Sequence, residues 1–86
     1  MEKIYVPIYD NGEPYEDNFT YPESVCFKKY SDCVQWIKEQ KEGGVHYQYN
    51  DNFNCWELNI DDDRYEESDI LNPNGFYTIH DMIIEG

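Results

Sequence analysis

Basic residues are scarce in this chain. Six Lys and Arg stand against nineteen Asp and Glu, a net charge of −13 over 86 residues. That balance argues against direct contact with a nucleic-acid backbone, because phosphate contacts need cations. The same repulsion disfavours anionic membrane surfaces. Long apolar runs are missing as well. The opening stretch MEKIYVPIYDNGEPYEDNFT holds no apolar core of the kind a secretory leader carries. No segment approaches the roughly 20 apolar residues that span a bilayer. The chain is therefore expected in the cytoplasm, that of the host cell if it is phage-encoded. Cysteine is sparse and odd in number: Cys26, Cys33 and Cys55 fit no disulfide framework. They are expected to be reduced and to act as small apolar filler. There is no Walker loop, no G-x-G-x-x-G and no G-x-S-x-G. No cofactor is implied, and a non-catalytic role is expected.

Aromatic side chains are plentiful. Fifteen residues are Phe, Trp or Tyr, and each can bury ~150–250 Å². This offsets the thin core of so short a chain and argues against disorder despite the charge. The length predicts one domain over residues 1–86.

Residues 4–9 alternate, with Ile4, Val6 and Ile8 on one strand face and Tyr5, Pro7 and Tyr9 on the other. Pro7 cannot donate to a ladder, which predicts an edge strand or a strand with one free side. Asp10-Asn11-Gly12 stops it with turn chemistry. Residues 13–24 read as an acidic loop or hairpin arm, and 25–27 as a short strand. Ser31 is the expected N-cap of a helix from about Asp32 to Glu42, ended by Gly43-Gly44. Strands follow at 45–49, 53–60 and 76–84. Turns fall at Asn50-Asp51-Asn52 and at Asn72-Pro73-Asn74-Gly75. The last strand is apolar on both faces, which predicts a central position or a bulge. The sum is an α+β fold, roughly ββαβββ, with one helix packed on a curved, mostly antiparallel sheet of four to five strands.

Spacing bears on several chemistries. An EF-hand loop begun at Asp61 would put Glu66 where glycine belongs and Asn72 where the closing glutamate belongs, so the match fails. A loose surface Ca²⁺ or Mg²⁺ site stays weaker than a solvated acidic loop. Structural zinc wants tight pairs, and Cys26 and Cys33 are seven apart. A cysteine–histidine nucleophile would need Cys55 beside His46 or His80. A metal-dependent nuclease centre would want a base near the acids, and after Lys3 every lysine falls between 28 and 41.

What remains is a surface. Positions 10–23 carry five acids and no base, and positions 57–69 carry seven acids and one base, Arg64. The helix region is nearly balanced, which predicts one or two acidic faces away from the helix. Acids interleaved with tyrosine can imitate phosphates interleaved with bases, and tyrosine is favoured at interface hot spots. The plainer alternative is that the charge only keeps a small protein soluble. The candidate contacts are Asp61, Asp62, Asp63, Glu66, Glu67 and Asp69, then Glu13, Glu16, Asp17 and Glu23. Tyr15, Tyr21 and Tyr65 are the candidate aromatic anchors.

In its acid runs EPYEDNFTYPE and ELNIDDDRYEESD, its Asn- and Tyr-rich composition and its length, the chain resembles the small acidic inhibitors of phages and mobile elements, anti-CRISPR proteins among them. The resemblance is one of general character and rests on no motif. It implies an inhibitor that occupies a basic nucleic-acid channel of a host nuclease complex. The expected partner is thus the basic surface of a protein that handles nucleic acid. The alternatives are a structural or adaptor module that forms a homodimer, and a small metal-binding domain.

Overall fold

The computed structural model describes residues 2–13, 18–70 and 73–84. Its elements are β1 (Glu2–Asp10), β2 (Thr20–Pro22), α1 (Tyr30–Glu39), β3 (Lys41–Glu42), β4 (Val45–Asn50), β5 (Cys55–Leu58) and β6 (Phe76–Ile84). The fold is α+β, with one helix on an antiparallel sheet of six strands in the order β2-β1-β6-β5-β4-β3. The strand count exceeds the expected four to five by the short β3, and the second strand lies at Thr20–Pro22 rather than at 25–27, where Phe27 makes only an isolated bridge with Tyr5. The last strand in the chain is central, as its two apolar faces predicted.

Register decides which face meets the helix. Tyr9 pairs with Tyr77, Tyr77 with Trp56, and Leu58 with Tyr47. Directly paired residues share a face, so all five rings and side chains point one way. They form a core with Cys33 and Ile37 of α1, together with Val45 and Ile70. The tyrosine face of β1, not its aliphatic face, is therefore the one under the helix. Tyr77 is the hub. Its ring lies 5.1 Å from Tyr9, 4.9 Å from Tyr47 and 5.8 Å from Trp36, all edge-on. Such edge-to-face contacts add ~0.5–1.5 kcal/mol each beyond burial.

Three expectations are corrected. First, Pro7 is not on an edge strand, since β1 lies between β2 and β6. Tyr5 exchanges backbone bonds with Phe27 (2.7 and 2.9 Å), and the Pro7 carbonyl accepts from the Glu23 N–H (2.9 Å). Odd residues of β1 thus aim their backbone toward β2. Between the Ile8–Pro22 pair and the Tyr5–Phe27 bridge, two residues of β1 face four of its neighbour. Pro7 sits in this bulged gap, where a missing donor costs nothing.

Second, the helix begins at Tyr30, with Lys29 at the N-cap and no side-chain cap. Ser31 is inside the first turn because Tyr30 is drawn onto Tyr5, with ring centroids 5.5 Å apart and edge-on. Third, the helix ends at Glu39 rather than at the glycines. Its last carbonyls are met by side chains. Gln40 Nε2 donates to Trp36 O (3.0 Å), and His46 Nδ1 donates to Lys38 O (2.8 Å). Gly43 and Gly44, with φ of 59° and 81°, instead form the two-residue turn joining β3 to β4, a geometry that wants φ > 0 at both central positions.

Candidate partner-binding surface

The two acidic segments leave the sheet at the same end. Asp10 pairs with Thr20 on one side and Phe76 on the other, Phe76 pairs with Glu57, and Leu58 pairs with Tyr47. These pairs set the close of β1, the start of β6 and the close of β5 side by side. The loop after Asp10 and the loop after Leu58 must therefore emerge together. Gly12 also abuts Asn74 of the turn into β6. A Cβ built on Gly12 would lie 2.0 Å from Asn74 O and 2.6 Å from its carbonyl carbon. Only glycine permits that approach, and its φ of 72° asks for glycine again.

The base of the first loop is rigidly bonded. Asp10 Oδ1 accepts from Gly12 N (2.7 Å) and Asn18 Nδ2 (3.0 Å), and its Oδ2 accepts from Thr20 Oγ1 (3.0 Å). Asn11, only 2% exposed, accepts from the N–H groups of Glu13 (3.2 Å) and Phe19 (3.1 Å). Glu13 is half-buried there. Glu16, Asp17 and Tyr15 lie outside the described residues.

The second loop is a string of tight turns. Asn59 N donates to His46 O (3.0 Å), Asp62 N to Asn59 O (3.1 Å), and Tyr65 N to Asp62 O (2.9 Å). Asp61, Asp63, Glu66 and Glu67 are exposed. Asp62 is different. Its side chain is 16% exposed against 62% for Arg64, and Arg64 grips it with Nε (3.1 Å) and an Nη (3.0 Å). Those hydrogen bonds, with the Arg64 backbone N–H, hold its carboxyl below the usual aspartate range. Asp62 thus serves the turn rather than the outer face. Asp69 closes a 3-10 turn, Glu67–Asp69, and its side chain is outside the description. Tyr65 packs partly against the core, so it presents less ring than a free anchor would. Glu23 is half-buried and accepts from Tyr77 Oη (3.4 Å). Tyr21 is 44% exposed and stacks on Phe19, which is 46% exposed (5.8 Å, 13° between planes).

Between β2 and β3, the two edges of the sheet, runs an open cleft of about 360 Å³ lined by Tyr9, Phe19, Tyr21, Gln40, Lys41, Glu42, Tyr47 and Tyr77. The curl of the sheet brings opposite edges to one groove. Neither Phe19 nor Glu42 is among the residues expected from the sequence: Glu42 falls in the expected helix, and Phe19 in the expected acidic loop. The Gly43-Gly44 pair, read as a hairpin turn, would have revealed β3. Tyr47 Oη donates to Glu42 Oε2 (3.4 Å). Burial above all pushes the Tyr47 and Tyr77 hydroxyls far above the usual tyrosine value, with Tyr9 and then Glu42 adding to it at Tyr47 and Glu23 adding to it at Tyr77.

The Cys55–His46 pairing does not form. Cys55 pairs with Asn50 at the far end of the β4–β5 hairpin from His46, about 13 Å along the strand at ~3.3 Å per residue. His46 caps the helix instead, and His80 stands opposite Val6. Burial raises the Cys55 thiol, the reverse of nucleophile activation. Among the described residues no group of three His, Cys, Asp or Glu is arranged to hold a metal ion, and no helix is long and apolar enough to cross a membrane. Comparison with known protein families, curated proteins and solved structures finds no match to this chain.

Proposed function

We propose that the domain is a protein-binding inhibitor whose acidic end occupies a basic, nucleic-acid-binding surface of another protein. The observation that carries this reading is that two acidic segments, distant in sequence, leave the sheet at the same end, where Gly12 abuts Asn74 of the turn into β6. Exposed carboxylates at Asp61, Asp63, Glu66 and Glu67 stand on turns held by backbone bonds. Little ordering entropy is then spent when they meet a partner. Such a surface steers association with a cationic cleft, and the effect weakens as salt shortens the Debye length from ~10 Å at 0.1 M. The test compares the chain with an Asp61→Lys, Asp63→Lys, Glu66→Lys variant for capture of nucleic-acid-handling proteins at low and high salt. Capture by the parent that salt releases, that free DNA or RNA competes away and that the variant loses is the expected result. Capture indifferent to the three reversals would remove the surface assignment.

A second reading, a self-associating module, draws on β6. Only Phe76 and Tyr77 of that strand pair with β5, and Met82, Ile83 and Ile84 are exposed. A molecular mass that doubles with concentration, and an Ile83→Lys variant that stays monomeric, would favour it.

A further inference from the structure

We infer that the open edge of β6 pairs antiparallel with the β6 of a second copy of this chain, in a two-fold register centred on Met82. The inference deepens the second reading above and rests on its premise that the chain self-associates through β6. It is independent of what the acidic end binds.

The ladder leaves a strand edge unfilled. Odd residues of β1 bond toward β2 and Phe27, so the even ones bond to β6. Their partners Thr78, His80, Met82 and Ile84 are thereby engaged, and Ile79, Asp81 and Ile83 between them aim N–H and C=O the other way. Tyr77 meets β5 on that side, and β5 pairs with nothing beyond it. Among the described residues, no loop bonds to the backbone of Asp81 or Ile83 from that side. Two paired strands are marginal in water without a third, and this ribbon also leaves Met82, Ile83 and Ile84 exposed.

Charge names the occupant. The chain carries −13 in all, yet at this ribbon Lys3 meets Asp81 (3.3 Å) and Lys28 meets Glu2 (3.9 Å). A second copy is repelled from the acidic end and not from here, and a cationic partner has the reverse preference. In the paired dimer the two Asp10–Phe76 ends point outward. They lie about 40 Å apart along the strands, several times the Debye length of ~10 Å at 0.1 M salt. The register follows from the side chains. A two-fold on His80 would run Ile83 against Tyr77, which Trp56 already holds. A two-fold on Asp81 would set two carboxylates directly opposite, which destabilises a sheet, and one on Ile83 pairs only the last three described residues. A two-fold on Met82 avoids these faults. It sets Met82 against Met82, Ile84 against His80 and Ile83 against Asp81. The Ile83 N–H of each copy then donates to the Asp81 carbonyl of the other. The Asp81 carboxylate stays with Lys3 and its own N–H.

The experiment reads association and register together. Mass is followed by sedimentation from micromolar to millimolar chain, because so short a contact belongs to the weak, transient class. A mass that rises from one chain toward two is expected. Ile83→Pro removes an N–H from the open edge alone and spares the β1 ladder. It should weaken dimerisation about ten-fold or more with an unchanged circular-dichroism spectrum. In a Cys26→Ser background, Met82→Cys should form a disulfide dimer on air oxidation, because Cα atoms of a non-hydrogen-bonded pair lie ~4.5 Å apart. Ile84→Cys should not, since its two copies would lie about 13 Å apart. A chain that stays monomeric at millimolar concentration overturns this inference and the second reading together. A dimer that tolerates Ile83→Pro, or that cross-links at position 84 as readily as at 82, keeps the second reading and overturns the strand pairing.

Discussion

The two ends of the β1–β6 ladder are built from the same pair of strands and share almost nothing else. At the Asp10–Phe76 end the ladder is flanked by β2 and β5, Tyr9 and Tyr77 are buried, two acidic segments emerge, and Gly12 abuts Asn74 of the turn into β6. At the Glu2–Ile84 end the ladder stands as a two-stranded ribbon. Met82, Ile83 and Ile84 are exposed there, and charge is balanced by Lys3–Asp81 (3.3 Å) and Lys28–Glu2 (3.9 Å). Exposed pairs of that kind contribute little to stability. Packing and charge are therefore concentrated together at one end. A protein that only needed solubility gains nothing from placing its carboxylates over its best-ordered packing, whereas a presenting surface gains rigidity.

The largest expected break in this contrast is Gly12→Ala. The new methyl would collide with the Asn74 backbone and strain a positive φ, a cost of about 3 kcal/mol. Gly44→Ala shares the positive φ but meets nothing within 4 Å, so about 1 kcal/mol is expected. Urea unfolding of the two variants measures the difference, and equal losses would mean the loop contact is not holding the acidic end.

Alkali should act next. Tyr47, Tyr77 and Cys33 are buried at the packed end, and their groups ionise above their unfolded values of 10.0 and 9.0, Cys33 being pushed up to about 11. The neutral forms are the ones the fold holds. Their contribution is whole below pH 9 and is lost as the pH climbs past the unfolded values. Stability measured from pH 8 to pH 11 should fall, and Tyr47→Phe should soften that fall. The smallest effect belongs to the ribbon. Met82→Thr and Ile83→Thr should each change stability by no more than about 0.5 kcal/mol, and a larger loss in dilute solution would show that the ribbon is covered.

Much of this was legible in the chain. The bounds of β6, its central place and the turn around Asn50–Asn52 follow from apolar patterning and turn residues. The helix ends did not, because the terminal carbonyls are met by Gln40 and His46, a tertiary arrangement with no local signature. The acidity of the two segments is plain in the sequence, but their emergence at one end depends on strand order, which composition does not carry. Asp62 shows the same limit: beside Asp61 and Asp63 it looks like one more surface acid, and only the turn geometry turns it toward Arg64.

The place of β6 has a kinetic consequence. Until the last strand is synthesised, the β1–β2 hairpin and the β3–β4–β5 meander share no strand neighbour, although α1 packs against both β1 and β4. The pairing of β6 with β1 closes nearly the whole chain into one loop, and long-range closure of that kind slows folding. On the ribosome α1 can hold the two halves near each other, but the sheet itself should close in a late step, once Tyr77 arrives between Tyr9 and Trp56.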